Sequence, residues 1–281
     1  MKAFTLDAFD TAPGIRTDLP NPTGERIVRL HASSVNPVDA AIAGGMLRGM
    51  ADYAFPVVLG RDFAGVVEDT GEEVFGFVPH ADPAVGAGAW AERITLSPFF
   101  APKPASLSLT EAGAAPLAGI TALLSVEALA LTGGERVLIL GATGGVGAFA
   151  VQLAARAGAT VIAPANADDR DYLEALGASE VPERGSAPQA DALIDLISYS
   201  PEQLAANAPG LRDGAKTVSA LGAAEINVMA VSDPEAPARL ARAIDEHGLQ
   251  VPLARSFAFD ELGEALGALG THKRGKISVV A

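Results

Sequence analysis

The sequence predicts an α/β protein in two parts: a β-rich first hundred residues and, behind them, a doubly wound parallel sheet covered by helices on both faces. Three observations lead there. Short β-like runs broken by Gly, Pro and Asp fill residues 1 to about 100. Beyond residue 106 helix-like segments alternate with nearly all-apolar strands. One of those strands runs directly into the glycine-rich turn GATGGVG at 141–147.

In chain order the first part offers strands at AFTL (3–6), RIVRLHASSV (26–35), FPVVLG (55–60), FAGVVE (63–68), EVFGF (73–77) and WAERITL (90–96). Pieces this short suggest a compact, partly open barrel or sandwich. Ser108 followed by Glu111 has capping-box spacing, so a helix is expected from Leu109, broken or bent at Pro116. Parallel strands follow at RVLIL (136–140), TVIA (160–163), ALIDLI (192–197) and KTVSAL (216–221). After Asn227 come a helical stretch ARLARAIDEHG, a short run PLARSFAF, a helix near ELGEALGAL and a final strand KISVV. These last pieces either extend the parallel sheet or return to the first part.

Composition narrows the function. With 34 acidic against 20 basic residues the 281-residue chain carries a net charge of −14, so nucleic acid is not an expected partner. There is no cysteine, which removes disulfides, thiol nucleophiles and any thiolate metal site. The N-terminal MKAFTLDAFD lacks a secretory pattern and the longest apolar stretch, 113–130, contains Pro116 and Glu127. A cytoplasmic protein with no membrane partner is expected.

The glycine turn carries the most chemistry. After it, Val146, Phe149, Ala150, Leu153, Ala154 and Ala157 follow the spacing of one helix face. A strand, a glycine turn and an amphipathic helix together present backbone N–H groups at the positive end of a helix dipole. Gly144, Gly145 and Gly147, with Ala142, Thr143 and Val146 between and before them, are therefore expected to cradle a dinucleotide pyrophosphate. The motif departs from GxGxxG at its first glycine, where Ala142 stands after Gly141. At the end of the second strand APANADDRD (163–171) places no acid at the position that reads a ribose 2′-hydroxyl, whereas Asn166, Arg170 and Arg184 suit a 2′-phosphate. NADP(H) is the expected cofactor, with Asp168 and Asp169 as the residues that speak against it.

The set HASSVNPVDAAIAGG (31–45), VVLGRDFAGVVE (57–68), GAWAERITL (88–96), PLAGITAL (116–123), GATGGVGAFAVQLAARAGATVIA (141–163) and KRGKISVV (273–280) resembles the medium-chain dehydrogenase/reductase superfamily. The similarity is greatest to its zinc-independent quinone oxidoreductase branch, the zeta-crystallin-like proteins. The resemblance implies a GroES-like catalytic domain over residues 1–108, rejoined by the chain from about 245 to 281, and a Rossmann dinucleotide-binding domain over 109–244. It implies an active cleft between the two.

Zinc-containing relatives use a cysteine and a Gly-His-Glu motif; the matching residues here are Gly60, Arg61 and Asp62, and His31, His80, His247 and His272 are scattered. No zinc or other metal is expected. Asn36 matches the family's asparagine near the nicotinamide ribose and is the candidate donor to a ribose or substrate oxygen. Asp39 is expected to cap the following helix. Tyr53 either lines the cleft or packs, and Thr121 either meets the cofactor or sits inside a helix. Arg61 and Asp62 pair with each other or cap loops. Leu221 and Gly222 stand where relatives build nicotinamide contacts, although the chain is shortened there. The implied activity is NADPH-dependent reduction of a small-molecule quinone or α,β-unsaturated carbonyl, with a homodimer admitted. The alternatives are a biosynthetic enoyl reductase with one dedicated metabolite, or a non-catalytic NADP(H)-binding sensor or structural protein.

Overall fold

The computed structural model describes residues 1–79 and 88–281. The first part contains β1 (Ala3–Leu6), β2 (Gly14–Arg16), β3 (Ile27–Val35), α1 (Pro37–Ala43), β4 (Val57–Val58), β5 (Asp62–Val67), β6 (Glu73–Phe77), β7 (Arg93–Thr95) and β8 (Phe100–Pro102). Then follow α2 (Leu109–Ala114), α3 (Pro116–Leu129), β9 (Arg136–Leu140), α4 (Gly145–Arg156), β10 (Thr160–Ile162), α5 (Arg170–Ala175), β11 (Ala190–Asp195), α6 (Pro201–Asn207), β12 (Leu211–Ser219) and β13 (Ile226–Asn227). The chain closes with α7 (Ala236–His247), β14 (Leu253–Ala258), α8 (Leu262–Gly267) and β15 (Lys276–Val280). No helix among the described residues is long and apolar enough to cross a membrane.

The parallel sheet runs in the order β10-β9-β11-β12-β13. Single bridges from Ile162 to Glu180 and from Ala165 to Glu183 add a rudimentary strand outside β10. Because β9 and β11 are neighbours while β10 lies on the other side, the order reverses between them. In sheets of this kind ligands bind beyond the carboxyl ends of the strands at that reversal. Both faces of β9 are covered: Val137 and Ile139 belong to one apolar cluster, Leu138 and Leu140 to another on the opposite side. This explains its uninterrupted apolar sequence.

The terminal pieces do not join that sheet. β15 pairs antiparallel with β3, with Ile277 opposite Val35, and β14 lies parallel beside β15. The resulting sheet runs β14-β15-β3-β5-β6-β8, with β7 also on β3. Its N-terminal half reflects one covered face, as β3 alternates buried and exposed side chains before becoming fully buried toward Val35. Helix α2 starts as expected: Glu111 Oε2 accepts from Ser108 N at 2.9 Å and Ser108 Oγ from Glu111 N at 3.3 Å. Pro116 opens α3 at its first position, where the missing N–H costs nothing.

Candidate active site

The glycine corner begins as β9 ends. Gly141 (φ +83°) turns the chain and Gly144 precedes α4. The helical ladder starts with Ala148 N donating to Gly144 O at 2.9 Å. The N–H groups of Gly145, Val146 and Gly147 therefore lie in the first turn, ahead of the ladder, at the positive end of the dipole. A Cβ on Gly147 would come within 2.3 Å of Gly141 O and 2.5 Å of Ala142 Cα, so α4 sits directly on the turn. This arrangement fits a dinucleotide pyrophosphate, which needs open backbone donors and no intervening side chain.

A cleft of about 560 Å³ opens over this corner. One wall is Gly141, Thr143 to Gly147, Leu196, Ile197 and Tyr199, all beyond the carboxyl ends of β9 and β11. The facing wall comes from the β3–α1 junction, with Val35, Asn36, Pro37, Ala40 and Met46, and from the segment Leu269 to Ile277. That segment is fastened to the corner, since Gly275 N donates to Thr143 O at 2.8 Å.

Behind the facing wall lies a buried network that the sequence did not signal. Asp62, fully buried, accepts from Asn36 Nδ2 at 2.8 Å, from Ser34 Oγ at 2.5 Å and from Leu117 N at 2.8 Å, in the first turn of α3. Lys276 Nζ stands 3.5 Å from the same carboxylate and donates to Asn36 Oδ1 at 2.5 Å and Val35 O at 3.3 Å. Burial pulls the Lys276 ammonium below the usual lysine range, against the opposing pull of Asp62 and Asp39. Charges this deeply desolvated are retained only where partners and hydrogen bonds are supplied, and here each is surrounded by them.

Arg61 and Asp62 do not pair with each other. Arg61 faces Asp39, Nε to Oδ1 3.7 Å, and donates to Pro79 O at 2.8 Å. Asp39 takes the capping role expected of it, accepting from Asn36 N at 2.8 Å. Burial pushes its carboxyl up to about 7, more than Arg61 holds it down. An acid with a raised folded-state pKa contributes stability that is present below its unfolded value, near 4, and lost as pH rises through about 7. The stability difference between the unsubstituted chain and Asp39→Asn, read from urea midpoints, should therefore fall between about pH 4 and 7 and level off above it. A flat or rising difference would contradict this.

Of the other residues expected at a site, Thr143, Gly144, Gly145, Val146, Gly147, Asn36 and Arg184 line the cleft. Arg184 is exposed and has no carboxylate partner among the described residues. Ala142 is buried beneath Gly147 and is not in the lining. The remaining candidates lie outside the lining of this cleft. Tyr53 is outside the lining because it packs among Phe9 and Phe55, edge-on to the former at 4.9 Å between centroids. Thr121 spends its hydroxyl on Leu117 O, 2.7 Å away within α3. Asn166 is exposed at the start of the 3₁₀ turn 167–169, and Arg170 is exposed and pairs along α5 with Glu174 at 3.6 Å. Leu221 and Gly222 lie in a turn that folds back onto Ser219, whose Oγ accepts from Leu221 N at 2.9 Å.

Asp169 does not face the cleft: it is buried, and its Oδ1 meets His272 Nε2 at 3.0 Å and Arg274 Nε at 2.9 Å. Burial raises this carboxyl, but those two bonds outweigh it and hold it below the usual range. The segment 271–274 was not anticipated as a site element, and only its place between Asp169 and the cleft reveals it. Among the histidines, His31 is exposed on β3, His247 ends α7 and His80 lies outside the described residues. No group of three His, Asp or Glu side chains able to hold a metal occurs among the described residues.

Comparison with known proteins agrees with this architecture. Residues 22–97 match the alcohol dehydrogenase GroES-like domain. A chloroplast envelope quinone oxidoreductase homolog of Arabidopsis thaliana is 34% identical over 180 residues, an alignment spanning 59% of this chain and 55% of that protein. The chain thus matches just over half the length of that relative. Among solved structures, the quinone oxidoreductase from Coxiella burnetii is 26% identical with a TM-score of 0.85, over 100% of this chain and 99% of its own. An oxidoreductase from Salmonella enterica, solved in complex with NADP, is 25% identical with a TM-score of 0.78 over the full length of both chains. Residues 22–97 are thus similar to an alcohol dehydrogenase GroES-like domain, and in its sheet order and glycine corner the whole chain resembles the quinone oxidoreductases of the medium-chain dehydrogenase/reductase superfamily.

Proposed function

We propose that the protein is an NADPH-dependent, zinc-independent reductase of a quinone or α,β-unsaturated carbonyl. The observation that carries this reading is a cleft with the glycine corner on one wall and the Asn36 amide on the other. Bound along that corner, reduced nicotinamide supplies a hydride. The chain does the rest by placement: first-turn N–H groups of α4 hold the pyrophosphate, and the side chains of Ile197, Met46 and Val35 give the acceptor an apolar surface to lie on. Asn36 offers an N–H to the oxygen on which charge develops, and water completes the reduction with a proton. Holding two reactants in register is worth several kcal/mol, about 7–11 in the best-aligned cases, without a side-chain acid.

The preference for NADPH rests on Arg184 in the cleft wall and on Asp169 being turned away and taken up by hydrogen bonds with His272 and Arg274. Loss of absorbance at 340 nm should be seen with NADPH and a panel of quinones and enones. Replacing Arg184 with alanine should raise KM for NADPH about tenfold, equivalent to ~1.4 kcal/mol, with NADH little affected. Saturable NADPH binding with no turnover across the panel would leave a nucleotide-binding protein instead. Equal use of both cofactors by the Arg184→Ala and unsubstituted chains would remove Arg184 from the site.

A further inference from the structure

Lys276 is a buried lysine, only 4% exposed, at the junction of the two cleft walls. Its aliphatic stem crosses the glycine corner: a Cβ on Gly145 would come within 2.4 Å of Lys276 Cδ. Its head reaches Asn36 Oδ1, Val35 O and Asp62, which matches the three donors of an ammonium. The lysine therefore has no proton to spare for a substrate.

Its effect falls on Asn36. An ammonium cannot accept a hydrogen bond and a carboxylate cannot donate one, so the amide has one orientation, Oδ1 to Lys276 and Nδ2 to Asp62. Nδ2 carries a second hydrogen with no acceptor among the described residues, on a side chain that lines the cleft.

We propose that Lys276 is the positioning residue that locks the Asn36 amide with this N–H toward the acceptor's oxygen and adds a fixed positive charge behind it. The proposal rests on the reductase reading above. In that reaction the electrophilic carbon of the acceptor gains the hydride, its π pair shifts through the conjugated system onto oxygen, and a proton from water neutralises the oxyanion, leaving NADP⁺. A donor fixed before the charge develops needs no reorganisation.

The test is a double-mutant cycle on the cofactor-loaded protein, with Asn36→Ala, Lys276→Met and both. It reads kcat and, in the NADP⁺ complex, the Kd of 4-nitrophenolate as an oxyanion probe. Each single substitution should lower kcat about 100-fold, and the double should fall within about threefold of Asn36→Ala. Lys276→Met should weaken the phenolate about tenfold while changing NADPH affinity by less than about threefold. If Lys276→Met does not fold, Lys276→Arg keeps the cation beside Asp62 while displacing the donor from Asn36, and should show the same loss only when Asn36 is present. Multiplicative losses, or loss of NADPH affinity equal to the loss of kcat, would overturn the positioning role. Absence of turnover by the unsubstituted chain would overturn the reductase reading, whereas the phenolate arm would still report on Lys276 and Asn36.

Discussion

Replacing Asp62 with alanine should lower folding stability by about 3–5 kcal/mol, the loss typical of removing one partner from a buried ion pair. The carboxylate accepts from Ser34 Oγ, Asn36 Nδ2 and Leu117 N and faces Lys276, all behind the cleft wall. Alanine leaves a buried ammonium without its counter-charge and these three donors without an acceptor, and each such group costs about 1–3 kcal/mol or more if charged. Three separated stretches of chain would come loose together: β3 through Ser34 and Asn36, α3 through its first turn, and β15 through Lys276. Asp62→Asn keeps the shape but not the charge and should lie between. A combined Asp62→Ala, Lys276→Met chain, which removes both charges, should recover part of the loss. Urea midpoints measure all three. A loss below about 1 kcal/mol for Asp62→Ala would mean that solvent satisfies the network, against its complete burial.

The second large effect is expected at Gly147. Alanine there puts a Cβ 2.3 Å from Gly141 O, 2.5 Å from Ala142 Cα and 2.7 Å from Ala142 C. All three are backbone atoms, so no side-chain rotation relieves the contact, and α4 must lift away from the end of β9. Overpacking of this kind costs about 1–3 kcal/mol. Displacing the helix start also moves the N–H groups that face the cleft. The Kd for NADPH, from fluorescence titration, should rise at least about 100-fold, or ~2.7 kcal/mol. Unchanged affinity in a folded Gly147→Ala protein would place the cofactor elsewhere than at this helix terminus.

Several elements were readable residue by residue. EVFGF, RVLIL and KISVV are strands over the predicted spans, and the helix from Leu109 breaks at Pro116. Others were readable in kind and not in extent. FPVVLG shrinks to Val57–Val58, the two residues that pair with β1 through Thr5 and Leu6. The run at KTVSAL extends back to Leu211, since β12 follows β11 from Ala190 onward. The glycine corner was legible because its signal is local: a strand, a turn and a helix within about twenty residues.

Cofactor candidates around the corner divided on the same ground. Arg184 reaches the cleft because its backbone is tied beside the end of β10, Arg184 N to Ala165 O at 3.0 Å. Arg170, equally plausible in the sequence, begins a helix and spends its charge on Glu174. Asp169, which in the sequence speaks for NAD, is taken up by His272 and Arg274, more than a hundred positions away.

By itself the sequence determined the class of fold, the glycine corner and the absence of any thiol ligand, because hydrophobic period, caps and turn residues act over a few neighbours. The tertiary structure decided which charges meet. Lys276 lies 240 positions from Asn36 and reads in the sequence as one cation in KRGKISVV. It reaches Asn36 and Asp62 because β15 runs antiparallel beside β3, with Ile277 opposite Val35. Arg61, adjacent to Asp62 in the chain, turns instead to Asp39. The partner of a buried charge is set by which strands lie side by side and in what register, and no local pattern encodes that.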